Sequence, residues 1–281
     1  MILTPLYGPE LVTRGLREDP RVLGGDLAHS ESVNGELVNT HSAQFTHAGT
    51  NTNNLAEILG LVGGEGINTT GDRTYETLFE LDTFTGAATQ TLMSRWGFVA
   101  ATQNDALLIT SSGPDRVFHA FVRTDTGGFQ QQRWTWVGGA NNVWTHVAWT
   151  WLAAAASQAV QHELFIDGVS QGNGTIIIAR AGSSTVSGDR FSIGGSSTLS
   201  GAVASIDGRQ DESRVWSTIR TQPQIDANKL AHITAQPGLE AYHQLNNVWL
   251  DASGNGWTLT PTAGGGGAPA LPTFSTDVAF V

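Results

Sequence analysis

From residue 42 onward, short apolar runs alternate with clusters of Gly, Asn, Asp and Pro. The runs fall at 43–46, 55–62, 74–81, 90–95, 106–109, 117–123, 131–137, 144–151, 162–166, 175–179, 190–193 and 212–216. Many short runs bounded by turn residues predict the strands of an antiparallel sandwich or barrel. In 144–151 the alternation is strict, so Val147, Trp149 and Trp151 fall on one face. No segment carries the helical pattern between strands that a parallel α/β sheet needs. One helix is expected, with Thr221 as N-cap, Pro223 in the first turn, and an end near residue 230. The Ala-rich stretch 153–160 lies between two strands and reads as a hairpin excursion with room for one helical turn.

Composition agrees with this pattern. A chain of 281 residues suits one large β-domain with extensions, or two small domains. Charged residues make up 14%, against about 25% in ordinary domains, and 34 glycines supply turns. The net charge is −11 and Lys229 is the one lysine. With no basic patch interleaved with aromatics, nucleic acid is excluded as an expected partner. The absence of cysteine excludes a disulfide scaffold, a thiolate nucleophile and a Cys-based zinc site. No apolar stretch approaches 18 residues, so membrane insertion is not expected. Residues 1–19 do not read as a secretory signal, because no basic start precedes an apolar run.

Three regions follow. Residues 1–40, with Pro5, Pro9 and Pro20, read as an extended arm. Residues 41–262 hold the strand pattern, and 263–281 form a Gly-rich linker and an apolar tail. The tail ends Val278-Ala279-Phe280-Val281, and an end that apolar should pack on the sandwich or on another subunit.

Six motifs appear in sequence order. They are Trp144-Thr145-His146-Val147-Ala148-Trp149-Thr150, Leu164-Phe165-Ile166-Asp167-Gly168-Val169 and Phe191-Ser192-Ile193-Gly194-Gly195. After them come Gly208-Arg209-Gln210-Asp211-Glu212-Ser213-Arg214-Val215-Trp216, Leu239-Glu240-Ala241-Tyr242-His243-Gln244-Leu245 and Asp251-Ala252-Ser253-Gly254-Asn255-Gly256. The series resembles the strand and turn motifs of the laminin-G-like, concanavalin-A-like jelly-roll family, over about residues 44–261. The resemblance implies an all-β, two-sheet antiparallel β-sandwich with an N-terminal arm and a C-terminal tail. Gln210, Ser213 and His243 stand where the family usually has apolar or aromatic residues. Local chemistry agrees: Asp167-Gly168 is a primed-turn signal, and 251–256 has Asx and Ser side chains suited to turn hydrogen bonds.

The family includes glycoside hydrolases with an E-x-D-x-x-E strand. The nearest run here is 80–85, and Thr85 stands at the second carboxylate. Glu76 and Glu80 share a strand face, but at roughly 13 Å they exceed the 5–5.5 Å of a retaining pair. No catalytic residue is therefore expected. Sandwiches of this kind often hold Ca²⁺ on loop oxygens, and Asp207, Asp211, Asp251 and Asn255 are the candidate ligands for a structural Ca²⁺, with Asp72 and Asp105 as further oxygen donors. The alternative is Asx turns, with a salt bridge from Asp211 or Glu212 to Arg214. Trp134 and Trp136 share a face and lead into Asn141 and Asn142, residues suited to stacking on and hydrogen-bonding a glycan; Trp96 and Trp257 are further aromatics for such a platform. The alternative is that the tryptophans belong to the core.

Three classes of function follow. One is a non-catalytic structural protein of a virion surface, such as a phage decoration or tail protein, joined to other copies or other proteins through residues 1–40 and 270–281. Another is a lectin-like carbohydrate-binding module at an extracellular surface. The third, a hydrolase, is disfavoured by Thr85.

Overall fold

Strict alternation gives each strand an inner and an outer face, and two sheets close over the inner ones. The computed structural model describes residues 32–33, 36–37, 39–46, 54–61, 67, 70–83, 89–97, 102–112, 115–125, 128–155, 157–180, 183–184, 190–196, 205–263 and 271–279. Most of the arm 1–40, Thr85 and the Trp96 side chain lie outside the described residues.

The strands in chain order begin with β1 (Ser32–Val33), β2 (Glu36–Leu37), β3 (Ser42–Phe45), β4 (Asn54–Leu59), β5 (Arg73–Leu81) and β6 (Gln90–Gly97). Next come β7 (Thr102–Ser112), β8 (Asp115–Thr124), β9 (Gly128–Trp136), β10 (Thr145–Trp151), β11 (His162–Ile166) and β12 (Val169–Ser170). The series ends with β13 (Thr175–Ile178), β14 (Arg190–Ile193), β15 (Gly208–Trp216), β16 (Leu239–His243), β17 (Thr260–Ala263) and β18 (Thr273–Ser275). Strands β1 and β2 pair as a separate hairpin. The rest form two antiparallel eight-stranded sheets, and together these make a jelly-roll sandwich. The first sheet runs β12-β11-β10-β5-β15-β3-β18, with β16 also on β15; the second runs β13-β9-β8-β7-β6-β14-β4-β17.

The face that Val147, Trp149 and Trp151 share on β10 is the centre of the core. Val147, Trp149 and Trp151 are fully buried. Tyr75 meets Trp149 edge-on at 5.3 Å and Phe191, across the sandwich, at 5.8 Å. Asp167 and Gly168 both take positive φ (50° and 80°), the backbone of a primed hairpin turn between β11 and β12.

The expected strand at 106–109 is longer, running over β7 from Thr102 to Ser112. Asp105 is no turn ligand: it is fully buried between the sheets. Its Oδ1 lies 2.8 Å from Arg73 Nη2 of the first sheet, and its Oδ2 lies 2.8 Å from Arg95 Nη2 of the second. Tyr75 OH donates to Oδ2 at 3.1 Å, and the Arg73 guanidinium lies over the Trp151 ring at 4.1 Å. One carboxylate thus satisfies donors from both layers.

The family-like strand β15 contains a bulge. Asp211 pairs with Leu78 but Arg214 with Glu76, so Glu212 and Ser213 together face Thr77. Glu212 takes φ 50°. The extra residue resets the alternation, turning Ser213 and Val215 inward and Arg214 and Trp216 outward. The departures at Gln210 and Ser213 are accommodated by Thr77, whose hydroxyl lies 2.9 Å from Ser213 Oγ and 3.4 Å from Gln210 Nε2. His243 Nε2 donates to Trp257 O at 2.6 Å.

Helix α1 (Gln222–Asn228) follows its predicted start, and the Thr221 N–H donates to Gln224 Oε1 at 2.9 Å. Ile225 packs on Ala148 and Phe165, on the outer face of the first sheet. The Ala-rich excursion contains one short 3-10 turn, Gln158–Val160. Strands β17 and β18 add to the edges β4 and β3 of the two sheets, so the tail segment around 273–275 returns to the sandwich.

Replacing Asp105 with Ala leaves two buried guanidiniums without their carboxylate. The Asp105→Ala variant is expected to lose about 3–5 kcal/mol, read from the midpoint of urea unfolding; a loss under 1 kcal/mol would contradict the bridging role.

Candidate ligand-binding face

The outer faces of the two sheets differ. On the first, Glu76, His146 and Arg214 are wholly buried beneath the segment that carries α1. Glu76 is surrounded by His146 Nε2 at 3.5 Å, Arg214 Nη1 at 3.6 Å and Arg220 Nε at 3.8 Å. Burial pushes its carboxyl up, but the contact with His146 and the charges of Arg214 and Arg220 hold it below the usual value. Glu212 accepts from Arg214 Nη2 at 2.6 Å and Tyr242 OH at 2.5 Å, with His232 Nδ1 at 2.7 Å. These contacts leave no open surface around Glu76 and Glu212.

On the second sheet, no described residue covers the outer face of β8, β9 and β13. Register pairs His119 with Arg133 and Arg123 with Phe129. Outward therefore point Thr135, Arg133, Gln131 and Phe129 of β9, beside His119, Phe121 and Arg123 of β8. Phe129 is 38% exposed and meets Phe121 edge-on at 5.3 Å. Gln131 Nε2 donates to His119 Nδ1 at 2.8 Å, which leaves Nε2–H of the imidazole to donate to Thr110 Oγ1, also at 2.8 Å. Burial, with the Arg133 charge added, lowers the His119 pKa and favours this neutral form. At the sheet edge a groove of about 260 Å³ is lined by Arg133, Trp134, Thr135, Gln171, Gly174 and Thr175. Gly174 shapes it: φ is +71°, and a Cβ there would lie 2.5 Å from the Trp134 ring.

The tryptophans singled out in the sequence take the opposite parity. Trp134 is 5% exposed, faces the core, and donates Nε1–H to Gly172 O at 2.9 Å. Trp136 is half-buried and stacks on Phe118 at 5.6 Å. Asn141 accepts from Arg116 Nη2 at 2.8 Å, and exposed Asn142 donates its N–H to Leu81 O. Trp257 is packed against the core. The outward residues of β9 were missed because tryptophan outweighed parity; counting alternate positions from buried Phe118 and Ala120 through the β8–β9 hairpin would have found them.

The calcium candidates occupy three places. Asp207 accepts from Thr83 Oγ1, and buried Asp211 accepts from Asn39 Nδ2 at 2.5 Å and from the Glu212 N–H at 3.0 Å. Burial, with Glu212 beside it, pushes the Asp211 carboxyl well above its usual value. Asp251 accepts from the N–H groups of Tyr242, Ser253 and Trp257 at 2.9, 2.9 and 3.0 Å and from Ser253 Oγ at 2.8 Å. Asn255 Nδ2 donates to the carbonyls of Leu239 and Glu240. Among the described residues no three His, Asp or Glu side chains converge as a metal-holding group. Asp72 accepts from the Ala153 N–H. Glu80 and Asp82 each lie 3.0 Å from Arg209 Nη1, which Asp277 of the C-terminal segment approaches to 3.3 Å. Neither Glu76 nor Glu80 stands on the open face.

No protein-family model matches the chain, and no curated protein does either. Solved structures do. One is a Bacteroides ovatus protein provisionally assigned as carbohydrate binding, with a TM-score of 0.53 and 21% identity, matched over 84% of this chain and 59% of its own. The chain thus spans just over half the length of that protein. Another is a heptameric SAP-like pentraxin from Limulus polyphemus, with a TM-score of 0.51 and 11% identity, over 74% of this chain and 93% of its own. At these identities the likeness is one of fold: a jelly-roll sandwich. No helix among the described residues is long and apolar enough to cross a membrane.

Burial alone raises the Asp251 carboxyl, but its amide donors outweigh that and hold it below 3.8. A lowered carboxylate pKa adds stability above the unfolded value, and this is lost as the pH falls through the folded one. Asp251→Asn is expected to cost about 2 kcal/mol at pH 7, with the gap to the parent protein narrowing as urea unfolding is repeated below pH 3.8. An equal gap at pH 7 and pH 2.5 would refute this.

Proposed function

We propose that this chain is a non-catalytic carbohydrate-binding sandwich of the laminin-G-like, concanavalin-A-like kind, binding its glycan on the open face of β8, β9 and β13. The observation that carries the reading is the chemistry of that face. An exposed aromatic, Phe129, adjoins an amide, Gln131, and the hydroxyl-lined groove at Thr135 and Thr175. Ring surface for stacking and fixed polar groups for hydroxyls are what a sugar requires. The carbohydrate-binding assignment of the Bacteroides ovatus relative points the same way. The engagement of Glu76 and Glu80 in ion pairs away from this face supports a binding role over hydrolysis.

The expected result on a glycan array, with and without Ca²⁺, is a defined set of binders. Phe129→Ala should weaken binding roughly tenfold, or ~1.4 kcal/mol, by calorimetry with the best binder. An array without binders would refute the reading, and a calcium requirement would give the oxygen ligands Asp207, Asp211, Asp251 and Asn255 a role.

The same chain fits the exposed surface of a particle, such as a phage virion, where a decoration or tail protein holds it near host glycans. The supporting observation is the tail, since β18 extends a sheet edge by strand addition, a mode equally open to a strand from a neighbour. Size-exclusion chromatography with light scattering is expected to show an oligomer that dissociates when residues 1–40 and 270–281 are removed. A monomer before and after truncation would sink the assembly role.

A further inference from the structure

We infer that the open face takes an acidic saccharide, with Arg133 in the groove and Arg123 beside Phe129 supplying the counter-charge. This rests on the carbohydrate-binding reading and narrows its ligand class.

The observation is where the chain leaves positive charge uncompensated. The net charge is −11, and most of the arginines described are held by carboxylates. Arg73 and Arg95 share Asp105, Arg190 pairs with Glu57, Arg209 with Glu80 and Asp82, and Arg214 and Arg220 face Glu76. Lys229 is paired with Asp226. Arg123 and Arg133 have no carboxylate partner among the described residues, although acids outnumber basic residues 25 to 14. Both point outward from neighbouring strands of the same sheet. A third such side chain, Arg180, lies at the tip of the same hairpin, close enough that a Cβ on Gly128 would meet its Cζ at 2.6 Å. The groove itself contains no Asp or Glu.

In an acidic protein, guanidiniums without carboxylate partners spread along one face of one sheet make a local positive field on a negative background. A neutral sugar gains nothing from that field; an anionic one does. The guanidinium fork matches a carboxylate or a sulfate ester with two parallel hydrogen bonds. Arg133 and Arg123 sit four register positions apart on β9 and β8, about 13 Å along the strands. Two acidic units of one oligosaccharide could span that separation where a single ring could not. Between them lies Gln131, nearly buried and with its Nε2 held by His119, and beside Arg123 lies Phe129, exposed to cover an apolar sugar face. His119, held neutral by Gln131 and Thr110, adds no repulsive or attractive charge at neutral pH.

The test is calorimetric titration of the full chain with three oligosaccharides of equal length: a carboxylated oligogalacturonate, a sulfated dextran fragment and neutral dextran. Parent protein, Arg133→Gln, Arg123→Gln and the charge control Lys229→Gln are compared, with melting temperatures confirming that each is folded. The expected result is binding of one or both acidic probes at least tenfold tighter than dextran, weakening as NaCl rises from 20 to 200 mM, as screening requires. Arg133→Gln and Arg123→Gln should each weaken it about fivefold or more, and Lys229→Gln should leave it unchanged. The carboxylated and sulfated arms then identify the acid. Equal binding of dextran would overturn the acidic assignment while leaving carbohydrate binding intact. An acidic preference untouched by both arginine variants, or reduced as much by Lys229→Gln, would overturn the assignment to these residues. Failure to bind any saccharide here, with no binder on the array, would overturn both readings.

Discussion

One carboxylate, Asp105, sets the relation between the two sheets. It is fully buried and takes donors from Arg73 and Tyr75 on one sheet and Arg95 on the other. A buried ion triad of this sort is a weak source of net stability, because desolvating three charges costs about what their attraction returns. Its effect is on specificity. Aliphatic faces can slide over one another at little cost, whereas a guanidinium two residues out of register leaves a buried charge unpaired. Once this point is fixed, the aromatic contacts of Tyr75 with Trp149 and Phe191 follow on the same strands.

The bulge at Glu212 divides the labour between the outer faces. By turning Arg214 and Trp216 outward it builds a charged layer with Glu76 and His146, which α1 and its flanking segment seal. The proposed ligand face lies on the second sheet. There, a β9 strand with core residues on one side and Arg133, Gln131 and Phe129 on the other offers ring, amide and cation in one row. The turn-forming Gly174 keeps the neighbouring groove from being filled.

The edges are managed by the C-terminal chain. Strands β17 and β18, on either side of the Gly-rich stretch, cover one edge of each sheet, and Pro261 is tolerated because β17 is itself an edge strand. Asp277 then ties the last segment to Arg209, and Trp144 Nε1 donates to the same carboxylate. The acids nearest in pattern to a hydrolase strand, Glu80 and Asp82, therefore serve as the anchor of that clasp.

By itself the sequence determined the all-β class, most strand positions, the Asp167-Gly168 turn, the start of α1 and which residues share a face on β10, since all of these depend on spacing of two or three and a half residues and on local backbone preference. Only the tertiary structure decided the rest. Asp105 looked like a turn residue because a charge amid polar neighbours is usually solvated, and its two arginine partners are distant in sequence. Trp134 and Trp136 looked like a binding platform because aromatic rings serve cores and glycan sites alike, and alternation says which residues share a face without saying which face is buried. That assignment required the second sheet's partner to be in place, and with it Phe129 and Arg133 turned out to be exposed, while Gln131 between them is nearly buried against His119.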